Sequence, residues 1–394
     1  MEFLPDTKFN SEIEPDLAGP FEYPLRFSGF DWRSNATSTN AIKTIRILMS
    51  VLICFIFFLA IVLPGSEEQP PFTVRWADQN LSMVMCAYAF ACTICLMAWT
   101  KNGFIAAFEA ELARMKTFRR LPNEQLDNYK KQRIGCLVFS VIMLISWIIS
   151  AFKGVLYQTT KADYNGTEYK EFHIARENLF GSQPVIYIYM GLVSCIATCI
   201  YWLAHEHLRR EFEYFNEELK KASETHDFTN TEIFVQFGSR HRGLMNLLTL
   251  MNFHLGKMAM INGFTAGSAM CFSIYITMGF LKHLNPAYMV LLSIWNLIVA
   301  HSLTVIVGEP GKIQKQVHRT KKILLEDADL PNTVEQKSLS CYRLFIDRCD
   351  NSSKMFLLSA IPVHRKTAHW VLFLVPNLAS LLAFCAKLAG VIQV

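Results

Sequence analysis

Seven apolar runs, each close to the length of a membrane span, constrain this chain more than any other feature. They occupy residues 47–63, 81–99, 134–156, 184–204, 258–281, 286–307 and 368–392. An α-helix needs about 20 apolar residues to cross a bilayer core. None of the runs contains an acidic residue, and the lysines Lys153 and Lys387 sit near run ends, where a long side chain can snorkel to the interface. With 52% apolar and only 18% charged residues, the chain is too apolar for an ordinary soluble domain of 394 residues. The expected class is all-α: a polytopic membrane protein with seven transmembrane helices and long cytosolic helical extensions.

Lysine and arginine placement sets the expected orientation. The loops after the second, fourth and sixth runs hold most of the basic residues, including Arg119-Arg120, Arg209-Arg210 and Lys321-Lys322. The loops after the first, third and fifth hold five between them: Arg75, Lys161, Lys170, Arg176 and Lys282. The N-terminus is therefore expected in the cytoplasm and the C-terminus outside, at the plasma membrane. The first run follows about forty mixed residues rather than a signal sequence, and is expected to act as a signal-anchor. Of the glycosylation sequons, Asn165-Gly-Thr lies in an expected outer loop.

The inner loops read as helical. Residues 206–224 are rich in Glu, Lys, Arg and Leu and lack Gly and Pro, so the fourth span should continue as one helix. Residues 229–256 carry Phe234, Phe237, Leu244, Leu247, Leu248 and Met251 on a roughly helical period and should run into the fifth span. Residues 312–326 should extend the sixth span, a break near Pro331 should follow, and 337–358 should form a further helix. The expected organisation is a cytosolic N-terminal segment (1–42), helices 1–6 with the extensions of helices 4 and 5 (43–307), a cytosolic helical stalk (308–367) and helix 7 (368–394). The basic pairs read as contacts with anionic lipid headgroups or as partners for Glu217, Glu218, Glu326 and Asp327 across a subunit interface.

Several function classes fit poorly. The net charge of +5 is spread over several loops, which argues against a nucleic-acid partner. Nine of the eleven cysteines fall in apolar stretches, and Cys341 and Cys349 in a basic loop assigned to the reducing cytosol, so neither a disulfide framework nor a metal is expected. No converging catalytic set is visible: His301 is alone in its span, and His205 and His207 are two residues apart on different faces of a helix. No enzyme activity and no cofactor are expected. A G-protein-coupled chemoreceptor is the alternative. It is opposed by the four-residue loop 282–285, by the lack of an Asp-Arg-Tyr-like triplet after the third span, and by Pro376-Asn377, which reverses the order of an Asn-Pro motif.

Seven spans, an inner N-terminus, long helical extensions, a very short last outer loop and a chain ending with the last span together resemble the insect gustatory and odorant receptor superfamily. The segment 356–377 looks like that family's seventh helix in two parts, a cytosolic half and a membrane half. Thr367 is followed by Ala-His-Trp and no Gln-Phe follows, which departs from the insect gustatory signature. The layout is most similar to a nematode serpentine receptor of class r. The resemblance implies a chemosensory receptor, a homo- or hetero-tetrameric ligand-gated cation channel opened by a small organic ligand or light, with helix 7 lining the pore and membrane lipids around it.

Under that resemblance Asn377, Ser380, Phe384 and Lys387 share one helical face and become candidate pore-lining residues, Phe384 being able to gate by dewetting. A lysine ring would repel cations, so either Lys387 turns from the axis or the chain does not conduct cations. The candidate ligand pocket comprises Trp147, Phe152, Tyr187, Tyr189, Phe272, Tyr275 and Tyr288 in the outer halves of the spans. Aromatic side chains there also serve as interfacial anchors.

Overall fold

The computed structural model describes residue 17 and residues 21–30, 40–65, 72–119, 130–152, 183–281, 284–327, 330, 335–352, 354, 356–357, 361–362 and 365–389. Its helices are α1 (Glu22–Phe27), α2 (Asn40–Gly65), α3 (Val74–Lys101), α4 (Phe104–Thr117), α5 (Lys130–Ala151), α6 (Gln183–Glu224), α7 (Thr231–Phe280), α8 (Pro286–Glu326), α9 (Gln336–Asp350) and α10 (Arg365–Leu388). Six of them, α2, α3, α5, α6, α7 and α8, are long and apolar enough to cross a membrane, and α10 carries the shorter apolar stretch Phe373–Cys385. All seven expected spans thus fall on helices, and the chain is an all-α, multi-pass membrane protein.

Three helices are far longer than a membrane is thick. α6, α7 and α8 have 42, 50 and 41 residues. At 1.5 Å per residue α7 alone spans about 75 Å, against about 30 Å of hydrocarbon. Their starts are set locally: the side chain of Asn230 accepts from Glu232 N at 3.0 Å, and that of Asn285 from Ala287 N at 2.9 Å with Pro286 in the first turn. α8 continues through Pro310 without a break.

Outside the spans these helices form a stalk with α4 and α9. Phe234, Phe237, Leu244, Leu247, Leu248 and Met251 are all buried there, on the face the sequence period assigned. Phe215, Phe228, Phe234, Phe237 and Phe345 meet as an aromatic core with centroid spacings of 5.2–6.4 Å. Two buried ion pairs join helices around it. Arg119, just past α4, bonds Glu211 of α6, and its guanidinium lies 4.3 Å over the Tyr214 ring. Arg240 of α7 bonds Glu218 of α6 and donates to Phe118 O at 3.3 Å. On α9, burial pushes the Cys349 thiol up to about 12, and the neutral thiol packs in the stalk with its sulfur 3.7 Å from His241 Nε2.

The structure adds to the sequence reading and, past α9, corrects it. The basic pairs are engaged within the chain: Arg209 and Arg210 with Glu206 and Glu213, Lys321 with Asp350, and Lys322 with Glu326. The helix expected over 337–358 ends at Asp350, where Asp350-Asn351-Ser352 favours a turn. Beyond it Phe356–Leu357 (β1) pairs antiparallel with Ile361–Pro362 (β2), Phe356 opposite Pro362, in place of the first half of a two-part helix. Pro362 lacks a backbone donor and disfavours helical geometry at Ile361. The segment before α2 is docked on the bundle. Leu17, Phe21, Leu25 and Phe30 are buried, Leu17 N donates to Glu109 at 3.0 Å, and Ser50 donates to Gly29 O at 3.0 Å. The break expected over 327–332 begins where α8 ends at Glu326, with Asp327 extended; Pro331 itself lies outside the described residues.

Candidate functional site

A cavity opens where α3, α6 and α8 begin and α5 and α7 end, the end of the bundle opposite the stalk. It holds about 880 Å³ of space unfilled by protein atoms, part of it open to the outside. Thr73 determines where α3 starts by accepting from Trp76 N at 3.2 Å, so the helix begins about two turns before the apolar run and carries Asp78 into the cavity lining. Asp78 is 7% exposed and accepts a hydrogen bond from the Tyr288 hydroxyl on the first turn of α8.

Aromatic side chains make the walls. The Trp147 and Trp295 rings meet edge to face at 5.6 Å and 86°, and Tyr187 lies 5.9 Å from Trp147. Trp295 donates its indole N–H to Ser150 at 3.0 Å. Leu81, Met85, Leu291, Leu292 and Val299 supply the apolar remainder. Among the described residues, three lining atoms are buried without a protein partner: Trp147 Nε1, Ser273 Oγ and Asn296 Oδ1. A smaller space of about 340 Å³ adjoins along Met85, Ala269, Trp295 and Val299 and reaches Tyr88 and Asn262. The Tyr88 hydroxyl there bonds Thr198 at 2.7 Å and accepts from Asn262 at 2.8 Å.

Of the aromatics named from sequence, Trp147, Tyr187 and Tyr288 line the cavity together. Tyr189 turns away, donates to Ser28 O and sets its ring 6.0 Å from Phe57. Phe272 and Tyr275 pack on Trp76 at 5.7 and 6.4 Å, and Tyr275 donates to Phe72 O at 2.9 Å. Phe152 follows the last turn of α5 and is 38% exposed. Asn165 lies outside the described residues. Asp78, Ser150, Ser273, Trp295 and Asn296 are lining residues the sequence reading missed. The available signal was Asn296, an amide within an apolar span, since polar groups at such positions mark function.

α10 packs on α7 and α8. Ala379 and Ala383 are its buried positions among those described, which lets the backbones approach closely. Asn377, Phe384 and Lys387 are exposed and Ser380 half-buried, on a face that the described residues leave uncovered. Asn377 bonds its own helix, Nδ2 to Phe373 O at 2.6 Å.

The family model described as Caenorhabditis protein of unknown function, DUF267, matches residues 17–379. The chain belongs to this family. A sequence comparison with curated proteins finds no match. Among solved structures, the DUF267 chain is similar to the insect olfactory receptor OR5 from Machilis hrabei, with a TM-score of 0.65 at 11% identity over 92% of this chain and 96% of that one. The same receptor in complex with eugenol superposes with a TM-score of 0.60 at 10% identity, over 94% of this chain and 97% of the receptor. At that identity the likeness is one of fold, and it extends over nearly the whole of both chains.

Proposed function

We propose that the chain is a chemosensory receptor and one subunit of a tetrameric, ligand-gated cation channel in the plasma membrane. A small organic ligand enters the cavity bounded by Asp78, Trp147, Tyr187, Tyr288 and Trp295. α10 lines a central pore with Asn377, Ser380 and Phe384, with Lys387 turned from the axis, and the stalk lies in the cytosol. The observation that carries the reading is the pairing of two features in one olfactory-receptor fold: a partly open aromatic cavity at the end away from the stalk, and a last helix anchored by a narrow alanine face with its polar stripe uncovered. The Machilis receptor was solved with eugenol, and a small organic ligand is the corresponding expectation here.

The cavity adjoins α7 and α8, the two helices that hold α10. A ligand that shifts α7 against α8 therefore acts on the seat of the pore helix, which is the kind of differential contact gating needs. Topology tests the proposal against a G-protein-coupled receptor. With tags at both ends of the full chain in intact cells, the C-terminal tag stains and the N-terminal tag does not. The reverse pattern excludes the channel and leaves the G-protein-coupled reading.

A further inference from the structure

We propose that Trp295 sets the length of ligand the cavity accepts, admitting compact molecules and closing off a second compartment from elongated ones. This rests on reading the cavity as the receptor's ligand site. The larger and the smaller space share four lining residues, Met85, Ala269, Trp295 and Val299. On each of four helices the smaller space lies about a turn deeper in the bundle. α3 gives Leu81 to the larger and Tyr88 to the smaller, α5 gives Trp147 and Met143, α7 gives Ser273 and Asn262, and α8 gives Leu291 and Ser302. Joined, the two would run along α8 from Tyr288 to Ser302, about 21 Å at 1.5 Å per residue. Trp295 stands at their boundary.

Size and fixation make Trp295 the wall rather than the other three. Ala269 and Val299 are too small to bar the way, and Met85 has a flexible thioether chain that moves aside at little cost. The Trp295 indole is held twice. Its N–H donates to Ser150 Oγ at 3.0 Å, and Ser150 gives its own proton to Ser146 O at 2.8 Å, which fixes the accepting lone pair toward the indole. Its ring also meets Trp147 edge to face at 5.6 Å. Below the wall, Tyr88 and Asn262 already bond each other at 2.8 Å, and Tyr88 shares a 2.7 Å bond with Thr198. What the smaller space offers a ligand is therefore mainly apolar surface from Val84, Met143, Ala266 and Ile298, the lining for a hydrocarbon tail. With the indole in place, a chain too long for the larger space has to run out through its open end, where further methylenes gain nothing from burial.

The probes are straight-chain phenyl alcohols, from phenylmethanol to 8-phenyl-1-octanol. Binding of each to the purified full chain and to Trp295→Ala is measured by calorimetry in the same detergent, so that partition into micelles cancels in the ratio of the two. In the wild-type chain affinity is expected to rise about 4-fold per methylene, the scale of one buried methylene, and then to stop rising within the series. In Trp295→Ala the rise continues to longer chains. The ratio therefore crosses over: the shortest alcohol binds the variant more weakly, having lost an aromatic wall, and the longest binds it about 10-fold more tightly or better, the worth of about two further buried methylenes. A general loss of packing would weaken every alcohol alike. A ratio that stays level along the series, or a wild-type affinity that climbs to the longest chain without a break, would overturn the inference and leave the ligand site standing. No binding of any alcohol by either chain would remove the ligand site and this inference together. Should Trp295→Ala fail to fold, Trp295→Leu takes its place, and if neither folds the break in the wild-type series decides. None of these readings depends on conduction, so a chain that binds but passes no current loses only the channel.

Discussion

Tyr288 donates its phenol hydroxyl to the carboxylate of Asp78, tying the first turn of α8 to the second turn of α3 across a space that both residues line. Both are buried, at 2% and 7% exposure. The bond sets the separation of two helices at the cavity and fixes the direction in which the carboxylate presents its oxygens. Replacing Tyr288 by Phe keeps the ring and removes the donor. The expected loss is about 1.5–3 kcal/mol, the range for a hydrogen bond to a charged group. Unfolding of the detergent-purified chain measures it, and a variant as stable as wild type would show the contact to be incidental.

Gly191 of α6 gives Trp147 its place. A Cβ at residue 191 would stand 2.7 Å from Trp147 Cγ and 2.8 Å from its Cβ, closer than packed atoms come. Gly191→Ala therefore has to displace the indole that forms one cavity wall. The expected cost is about 1–3 kcal/mol of overpacking strain, with loss of ligand binding out of proportion to the loss of folded protein. Gly135→Ala is the control, because its Cβ would meet Trp202 at an ordinary 3.7 Å.

In the stalk, two salt bridges to glutamate, one buried and one exposed, are expected to differ widely. Arg240 and Glu218 are 4% and 2% exposed, so Arg240→Ala leaves a buried carboxylate without its cation and costs about 3–5 kcal/mol. Lys220 and Glu224 pair at 3.4 Å but are 60% and 63% exposed, so Lys220→Ala changes stability by less than about 1 kcal/mol. Apparent unfolding temperatures of the two variants, side by side, check the contrast.

Much of the architecture was legible before any coordinates because it rests on long, repetitive signals. Span-length apolar runs and uninterrupted Glu/Lys/Arg/Leu stretches carry the same message over many turns, and α6 and α8 end at Glu224 and Glu326, where those stretches stop. The site was legible only in part. Sequence depth along a span places Tyr189, Phe272 and Tyr275 at the same height as Trp147, but which way each side chain points depends on how the helices are rotated against one another. Asp78 was missed for a different reason. It lies three residues before the apolar run, and only the Thr73 cap shows that the helix starts early enough to include it. The β1–β2 hairpin was hidden because its apolar composition reads equally well as helix. The docking of Leu17, Phe21, Leu25 and Phe30 depends on grooves that no local pattern records.

The measurement that bears most directly on the channel reading is current through the full chain with Ser380→Cys, before and after a positively charged, water-borne thiol reagent. The wild-type chain, with its own exposed Cys385, sets the background. If α10 lines a cation pore with its Asn377–Ser380–Phe384 face, ligand-evoked cation current appears in both chains and the reagent blocks it in Ser380→Cys well beyond the background. Current that the reagent leaves untouched would remove α10 from the pore, and the absence of any current at saturating ligand would contradict the channel itself.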